Sequence, residues 1–413
     1  MKTRKTYVSI DRSFLILCVM GAFAILSSTM SKSPVLNPFA TSLGTPSDLM
    51  GFVAAASTIP GILISLPAAS LSDVIGRRKV LLFSAFVFAS APFLYLFVET
   101  WWQLALVRFY HGFATAIFIP VTEATVAEQF PFRCGERISL LHSINGVGRT
   151  LAPLLGGAIL ALTNNGFHAV YLAVGVAGVT TFVMAFLLLT EKKKPVTEPA
   201  DAKKVAAKMV HCWRGVIQNR GAVLVSLVQA SQYYVYGAVE FFIVGYALEV
   251  AGLDAFYAGL FLTTQVATVI LTRPVLGRLS DRKGRRIPIV LGSVLGAALL
   301  FAIPFTTQLW LLLLIAVGYG VGFAAVISST SPLMSELAPA GLVGSSMGFL
   351  STMMDVGQTM GPIVSGFILA SVFQYTGLFA SLSLLLLASA AVFAVWGTTK
   401  KQQDSPVQCS RGQ

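Results

Sequence analysis

The sequence predicts an all-α integral membrane fold, with twelve transmembrane helices in two six-helix, pseudo-symmetric bundles. Three observations predict it. The 413 residues are 55% hydrophobic and only 11% charged, with a mean hydropathy of +0.78, too little charge to cover a soluble protein of this length. Apolar runs recur, and they reach the roughly 20 residues that a helix needs to cross a hydrocarbon core of about 30 Å. One basic stretch is written twice. Leu71-Ser72-Asp73-Val74-Ile75-Gly76-Arg77-Arg78-Lys79 returns as Leu279-Ser280-Asp281-Arg282-Lys283-Gly284-Arg285-Arg286, at an offset of 281 − 73 = 208 residues. Each copy stands between two apolar runs. Such charge belongs at a membrane surface, because a charge at the bilayer centre costs about 2.5–3.5 kcal/mol even on an insertion scale. The duplication makes the protein two similar halves.

A cytoplasmic tail, 1–13, leads into the first bundle, 14–190, with spans near 14–34, 50–71, 80–98, 102–126, 138–161 and 168–190. The first run has no small-residue cleavage site and is read as a retained span. A cytoplasmic linker, 191–220, follows. The second bundle, 221–398, has spans near 221–248, 255–276, 287–306, 309–332, 342–370 and 376–396, and 399–413 is a cytoplasmic tail. All are helices, since an open strand edge in lipid leaves backbone groups unpaired. The linker starts as a solvated tether. Val205, Met209, Trp213 and Ile217 then recur every fourth residue among Lys204, Lys208 and Arg214. That pattern is an amphipathic helix on the inner interface, with a gating role or a simple tethering one.

Lysine and arginine set the orientation. Lys2, Arg4, Lys5, Arg12, Arg77, Arg78, Lys79, Arg133, Arg137, the linker, the second basic loop, Lys400 and Lys401 share one side. The loops opposite, such as Thr163-Asn164-Asn165 and Gly252-Leu253-Asp254, carry neither residue, and Lys32 is the exception. Both termini are therefore expected in the cytoplasm, with the chain in a plasma (inner) membrane. The net charge of +12 belongs to these loops, so nucleic acid is not a partner. Cys18, Cys134, Cys212 and Cys409 show no metal spacing, and no disulfide is expected. A nucleotide-binding G-x-x-x-x-G-K-[ST] loop, a nucleophile motif and a metal cluster are all missing, so neither an enzyme nor a cofactor is expected.

The repeat reaches beyond the basic loops. Gly112 matches Gly320, Glu128 matches Glu336 and Pro131 matches Pro339; after one inserted residue, Pro153 matches Pro362 and Gly157 matches Gly366. Two parallel six-helix repeats place a binding site between them near the midplane.

These residues carry a family resemblance. Over about 14–398 the chain resembles the major facilitator superfamily, and by motif it is most similar to the drug:proton antiporters. Gly277-Arg278-Leu279-Ser280-Asp281-Arg282-Lys283-Gly284-Arg285-Arg286 fits the family loop G-x-L-a-D-r-x-G-r-k, and the first copy fits with Ala69 in place of the leading glycine. The resemblance implies a gating latch that holds the cytoplasmic side shut. Asp73 would approach the start of span 11 near Gly341, and Asp281 the start of span 5, each favoured by a helix N-terminus. Arg77 or Arg78 would pair with Glu128, and Arg285 or Arg286 with Glu336; the alternative is that the arginines only anchor topology. Gly76 and Gly284 supply a positive backbone angle in the turn.

On span 4, Arg108-Phe109-Tyr110-His111-Gly112-Phe113-Ala114-Thr115-Ala116 resembles the family's R-x-x-q-G-x-g-a, with His111 for the usual glutamine. The resemblance implies proton coupling for Arg108; the alternative is an arginine that snorkels outward. His111, one turn away, is of a type that titrates near neutral pH. On span 5, Gly148-Arg149-Thr150-Leu151-Ala152-Pro153-Leu154-Leu155-Gly156-Gly157 resembles the exporters' G-x-x-x-G-P-x-x-G-G, and Gly357 to Gly366, including Gly361 and Pro362, is its span 11 counterpart. The small residues allow close helix packing and the prolines kink the spans. Arg149 puts a fixed positive charge inside this motif, which weakens a reading as an exporter of cations.

Further charges lie within spans. Arg273 reads as a topology or latch residue, and Glu123 as an extension of the inner charge network. Glu240 follows Tyr233, Tyr234 and Tyr236 on span 7, the most polar span, and reads as a proton carrier or substrate contact. Asp355 falls near the depth of Arg149, and the sequence leaves open whether they pair. The expected function is alternating-access transport of a small organic solute by a monomer, as proton-coupled efflux. The alternative, motivated by Arg108 and Arg149, is proton-linked uptake or exchange of an organic anion, and a non-transporting membrane sensor is a minor one. The implied partners are the small-molecule substrate, protons and the lipid bilayer.

Overall fold

Helix breakers and caps divide the chain. A computed structural model describes residues 12–64, 68, 72, 76–130, 134–188, 215–338 and 343–396. Span 1 is Arg12–Met30, followed by a short helix, Leu36–Ser42; span 2 opens as Ser47–Ala55. Spans 3 to 6 are Arg77–Leu94, Trp101–Gln129, Cys134–Leu162 and Phe167–Leu188. Spans 7 to 12 are Arg220–Gly245, Ala255–Lys283, Arg286–Ala302, Leu309–Leu337, Val343–Leu369 and Gln374–Trp396. Asp254 caps span 8 by accepting from the backbone N–H of Phe256 and Tyr257, and Asn219 caps span 7 from Ala222. Such caps satisfy amides that have no partner inside the helix.

Span 2 is not the continuous helix that its hydropathy predicts. It breaks at 56–58 and resumes over 59–64. Pro60 is the physical reason, because it has no N–H to give the carbonyl four residues back. Gly76 (φ 103°) and Gly284 (φ 88°) both take left-handed conformations that leave span 2 and span 8 for the basic turns, a region costly for any side chain.

Within each half the same pairs meet. Span 1 packs on 5 and 6 and span 3 on 4 and 6; in the second half span 7 packs on 11 and 12 and span 9 on 10 and 12. The halves join along two seams, span 2 against 11 and span 5 against 8. Ten helices are long and apolar enough to cross a membrane. Spans 7 and 11, of 26 and 27 residues, have the length but are more polar. Span 7 is mostly buried, so protein rather than lipid is its solvent.

Small residues set the seams. Gly51 and Gly259, at the repeat offset of 259 − 51 = 208, lie so close to span 11 and span 5 that a Cβ would overlap the carbonyl oxygens of Pro362 and Pro153 respectively. A Cβ on Gly157 would come within 2.6 Å of the Ala255 carbonyl, and one on Gly366 within 3.0 Å of the Gly51 nitrogen. Inside the halves, Gly148 meets Ala22 and Gly357 meets Ala230, again a pair at the repeat offset (230 − 22 = 208). Gly361 lies on Tyr234, and Gly156 on Pro34 and Met30. Backbone contact of this kind is what holds helices together where lipid removes the hydrophobic drive.

Candidate functional site

Span 7 presents Gln229, Tyr233, Tyr236 and Glu240 at i, i+4, i+7 and i+11, one face of a helix. At its outer end Glu240 bridges the halves. Its carboxylate accepts from Lys32 Nζ at 2.5 Å and from Ser33 Oγ at 3.1 Å, both at the end of span 1. The two charged side chains are 14% and 11% exposed. Lys32 and Glu240 are themselves repeat-equivalent, since 240 − 32 = 208. A residue that touches its own equivalent must lie beside the pseudo-two-fold axis, so this ion pair is axial. Lys32 is therefore more than an exception to the charge rule for loops.

Deeper on the same face, Tyr236 stacks on Phe323 of span 10 (5.0 Å, 23°) and Tyr233 meets Phe323 edge-on (5.3 Å, 70°). Arg149 lies 162 − 149 = 13 residues from the end of span 5. Tyr233 lies 245 − 233 = 12 from the end of span 7, and Asp355 lies 369 − 355 = 14 from the end of span 11. At about 1.5 Å per residue all three are about 20 Å below the outer ends, near mid-membrane. The charges of Arg273, Arg149 and Asp355 all act on Tyr233, and those of Glu240 and Arg149 on Tyr236. Arg273 thus belongs to this cavity rather than only to the basic loop below it. Arg149 and Arg273 are exposed, and Asp355 is half-buried. Among the described residues none of the three makes an ion pair, Arg149 with Asp355 included.

The seams are closed from the outer face down to this level. Thr58 shares a hydrogen bond with Thr359 across spans 2 and 11 (2.7 Å), and Thr263 donates to the Thr150 carbonyl across spans 8 and 5 (3.1 Å).

Arg108 and His111 have their partners within their own half. Arg108 is buried, and its guanidinium donates to the Ala54 carbonyl (3.3 Å) and Ser57 Oγ (2.5 Å) at the break in span 2. The break strips Ala54 of its helical partner, and the arginine replaces it. Gly112 makes room, since a Cβ there would overlap the Ser57 carbonyl. His111 faces the Tyr95 hydroxyl at 3.4 Å, and Tyr95 stacks on Tyr171 at 4.1 Å. Glu123 contacts His142 of span 5 at 3.0 Å, a partner that no spacing in the sequence announces.

At the basic loops the two halves repeat each other bond for bond. Arg77 lies 3.6 Å from Glu128, and Arg285 lies 3.0 Å from Glu336. Arg77 donates to Ser72 and Arg285 to Ser280. Arg78 donates to the Phe186 carbonyl and Arg286 to that of Ala394, again at 394 − 186 = 208. So one arginine of each pair takes the glutamate and the other ties down the last helix of its half. Asp281 bonds Arg285 of its own loop, so among the described residues its partner is not the first turn of span 5. The nearer cation captures it. Burial opposes the Arg285 charge, but the Glu336 and Asp281 carboxylates outweigh it and raise its pKa above the usual arginine value. Asp73, Gly341 and the linker positions Val205, Met209 and Trp213 lie outside the described residues.

Comparison with known proteins agrees with this architecture. The chain is 22% identical over 362 residues to an uncharacterized MFS-type transporter of Methanocaldococcus jannaschii, covering 84% of this chain and 90% of that one. It is 25% identical over 307 residues to the multidrug resistance protein MdtG of Salmonella typhi, covering 73% and 74%. Its fold matches an inward-facing, unoccupied bacterial homologue of the human lysosomal transporter Spinster, with a TM-score of 0.75 at 14% identity over 93% and 94% of the two chains. The Major Facilitator Superfamily model matches residues 14–264 and 241–408, and with both duplicated halves so covered, the chain belongs to that superfamily of membrane transporters.

Proposed function

We propose that this transporter exports a small organic compound from the cytoplasm in exchange for protons. The observation that carries the reading is Asp355, a carboxylate at mid-membrane depth, within electrostatic reach of Tyr233 and without an ion-pair partner among the described residues. A lone carboxylate at that depth is where a proton and a substrate can compete. The similarity to a multidrug resistance protein supports a small organic cargo. If the basic loops face the cytoplasm, the outer seams are shut while Arg149 and Arg273 are exposed below them, a state ready to load from inside. Alternating access then requires the outer seams and the axial ion pair to part while the basic loops close.

The test uses everted membrane vesicles with an acidic interior and a pH-sensitive dye inside. A compound exchanged for protons dissipates the gradient only in vesicles that contain the protein. Asp355→Asn abolishes this response while leaving substrate counterflow without a gradient intact. Gradient-driven accumulation that survives Asp355→Asn would rule out this residue as the coupling site, and uptake into intact cells down the proton gradient would reverse the direction.

A further inference from the structure

The two walls of the central cavity descend from one sequence and have diverged in a directed way. Tyr236 and Phe323 stand in the second half where Ser28 and Thr115 stand in the first (236 − 208 = 28; 323 − 208 = 115). Contact is kept across the repeat, but its chemistry has changed. Ser28 and Thr115 share a hydrogen bond of 3.0 Å, whereas Tyr236 and Phe323 stack ring on ring. One wall is therefore small and polar and the other is flat and aromatic, and Arg149 lies within electrostatic reach of the aromatic one.

The charge inventory at this depth is also lopsided. Lys32 and Glu240 neutralise each other above, and Glu123 faces His142 nearer the basic loops. Arg108 is enclosed by spans 2 and 4. What acts on Tyr233 is Arg149, Arg273 and Asp355, a sum of +1 + 1 − 1 = +1. Uncompensated charge in a membrane interior is costly. A monoanion cancels it, and a cation would double it.

We infer that the cavity takes a planar aromatic organic anion, its negative group between Arg149 and Arg273 and its ring against Tyr236 and Phe323. The inference deepens the export reading and rests on it for the transport step, though not for binding. A guanidinium pair recognises a carboxylate or sulfonate by charge-assisted hydrogen bonds. An offset ring stack supplies a contact that an aliphatic anion cannot make.

The test uses the full-length protein in lipid nanodiscs, with three probes of one shape: 2-naphthoate, its neutral amide and 2-naphthylmethylammonium. Cyclohexanecarboxylate serves as the non-aromatic anion. Isothermal titration should show saturable binding of naphthoate, with amide and ammonium weaker by at least about tenfold, the worth of a charge-assisted contact. Arg149→Gln and Arg273→Gln should each cost naphthoate roughly tenfold, and Phe323→Leu should remove its advantage over cyclohexanecarboxylate. The probe series on the unaltered protein decides the matter even if a variant misfolds. Ammonium bound as tightly as naphthoate, or no naphthoate binding at millimolar concentration, overturns the inference. Naphthoate that binds through the arginines but shows no counterflow in proteoliposomes leaves the anion site standing and removes the export reading. Counterflow of the ammonium without naphthoate binding does the reverse.

Discussion

Replacing Glu240 with glutamine should unlock the outer face. At 2.5 Å and an effective dielectric of about 20, the attraction to Lys32 is 332/(20 × 2.5), about 7 kcal/mol. Desolvation of two largely buried groups cancels much of that, and removing one partner of a buried pair costs about 3–5 kcal/mol. Both side chains keep some exposure, at 14% and 11%, so we take the low end, about 3 kcal/mol. That amounts to roughly a hundredfold shift away from the outer-closed state. Spin labels at Ser42→Cys and Val250→Cys, exposed and repeat-equivalent positions in the outer loops, report it by pulsed dipolar spectroscopy once the native cysteines are replaced. The Glu240→Gln protein should show a longer inter-label distance than the parent. The charge-swapped Lys32→Glu/Glu240→Lys protein should return to the short distance, because the two positions are geometrically interchangeable. An unchanged distance distribution in Glu240→Gln would refute the axial pair as the outer clasp.

Three further outcomes follow from geometry. Gly51→Ala and Gly259→Ala should weaken the outer-closed state by similar amounts, about 1–3 kcal/mol of overpacking each, and the same labels read the shift; unequal effects would break the symmetry argument for the seams. Arg108→Met should lower the detergent melting temperature, since the carbonyl at the span 2 break loses its donor at a cost of about 1–3 kcal/mol; an unchanged melting temperature would refute that support. Gly284→Ala, at φ 88°, should cost about 1–3 kcal/mol of backbone strain and speed hydrogen exchange across the second basic loop, where the Arg285–Glu336 pair forms; exchange at the parent rate would show that the turn does not need glycine.

The twelve helices and their duplication were legible because hydropathy and motif spacing are local properties of a chain. What the sequence hid was mostly three-dimensional. Lys32 read as a stray charge because its partner lies 208 residues on, although the repeat offset itself names Glu240 as the equivalent position. Arg108 read as a membrane charge in search of a function. The break at Pro60 explains its burial, and the proline was in plain view. Arg273 was assigned to the loop below it by distance along the helix, yet its charge acts on Tyr233. Spans 7 and 11 are polar for the same reason that they matter, since they face protein and cavity more than lipid. No periodicity signals that Glu123 and His142 meet, because they belong to different helices.

The axial position also carries a historical implication. In a symmetric dimer of two identical six-helix chains, a residue beside the two-fold axis confronts its own copy. Lysine would meet lysine there, or glutamate would meet glutamate, and like charges would hold that dimer apart at its outer face. An attractive clasp between Lys32 and Glu240 can exist only after the two copies share one polypeptide and have mutated separately. A side-chain pair that closes one face of the molecule is thus also a one-way step, after which neither half can replace the other.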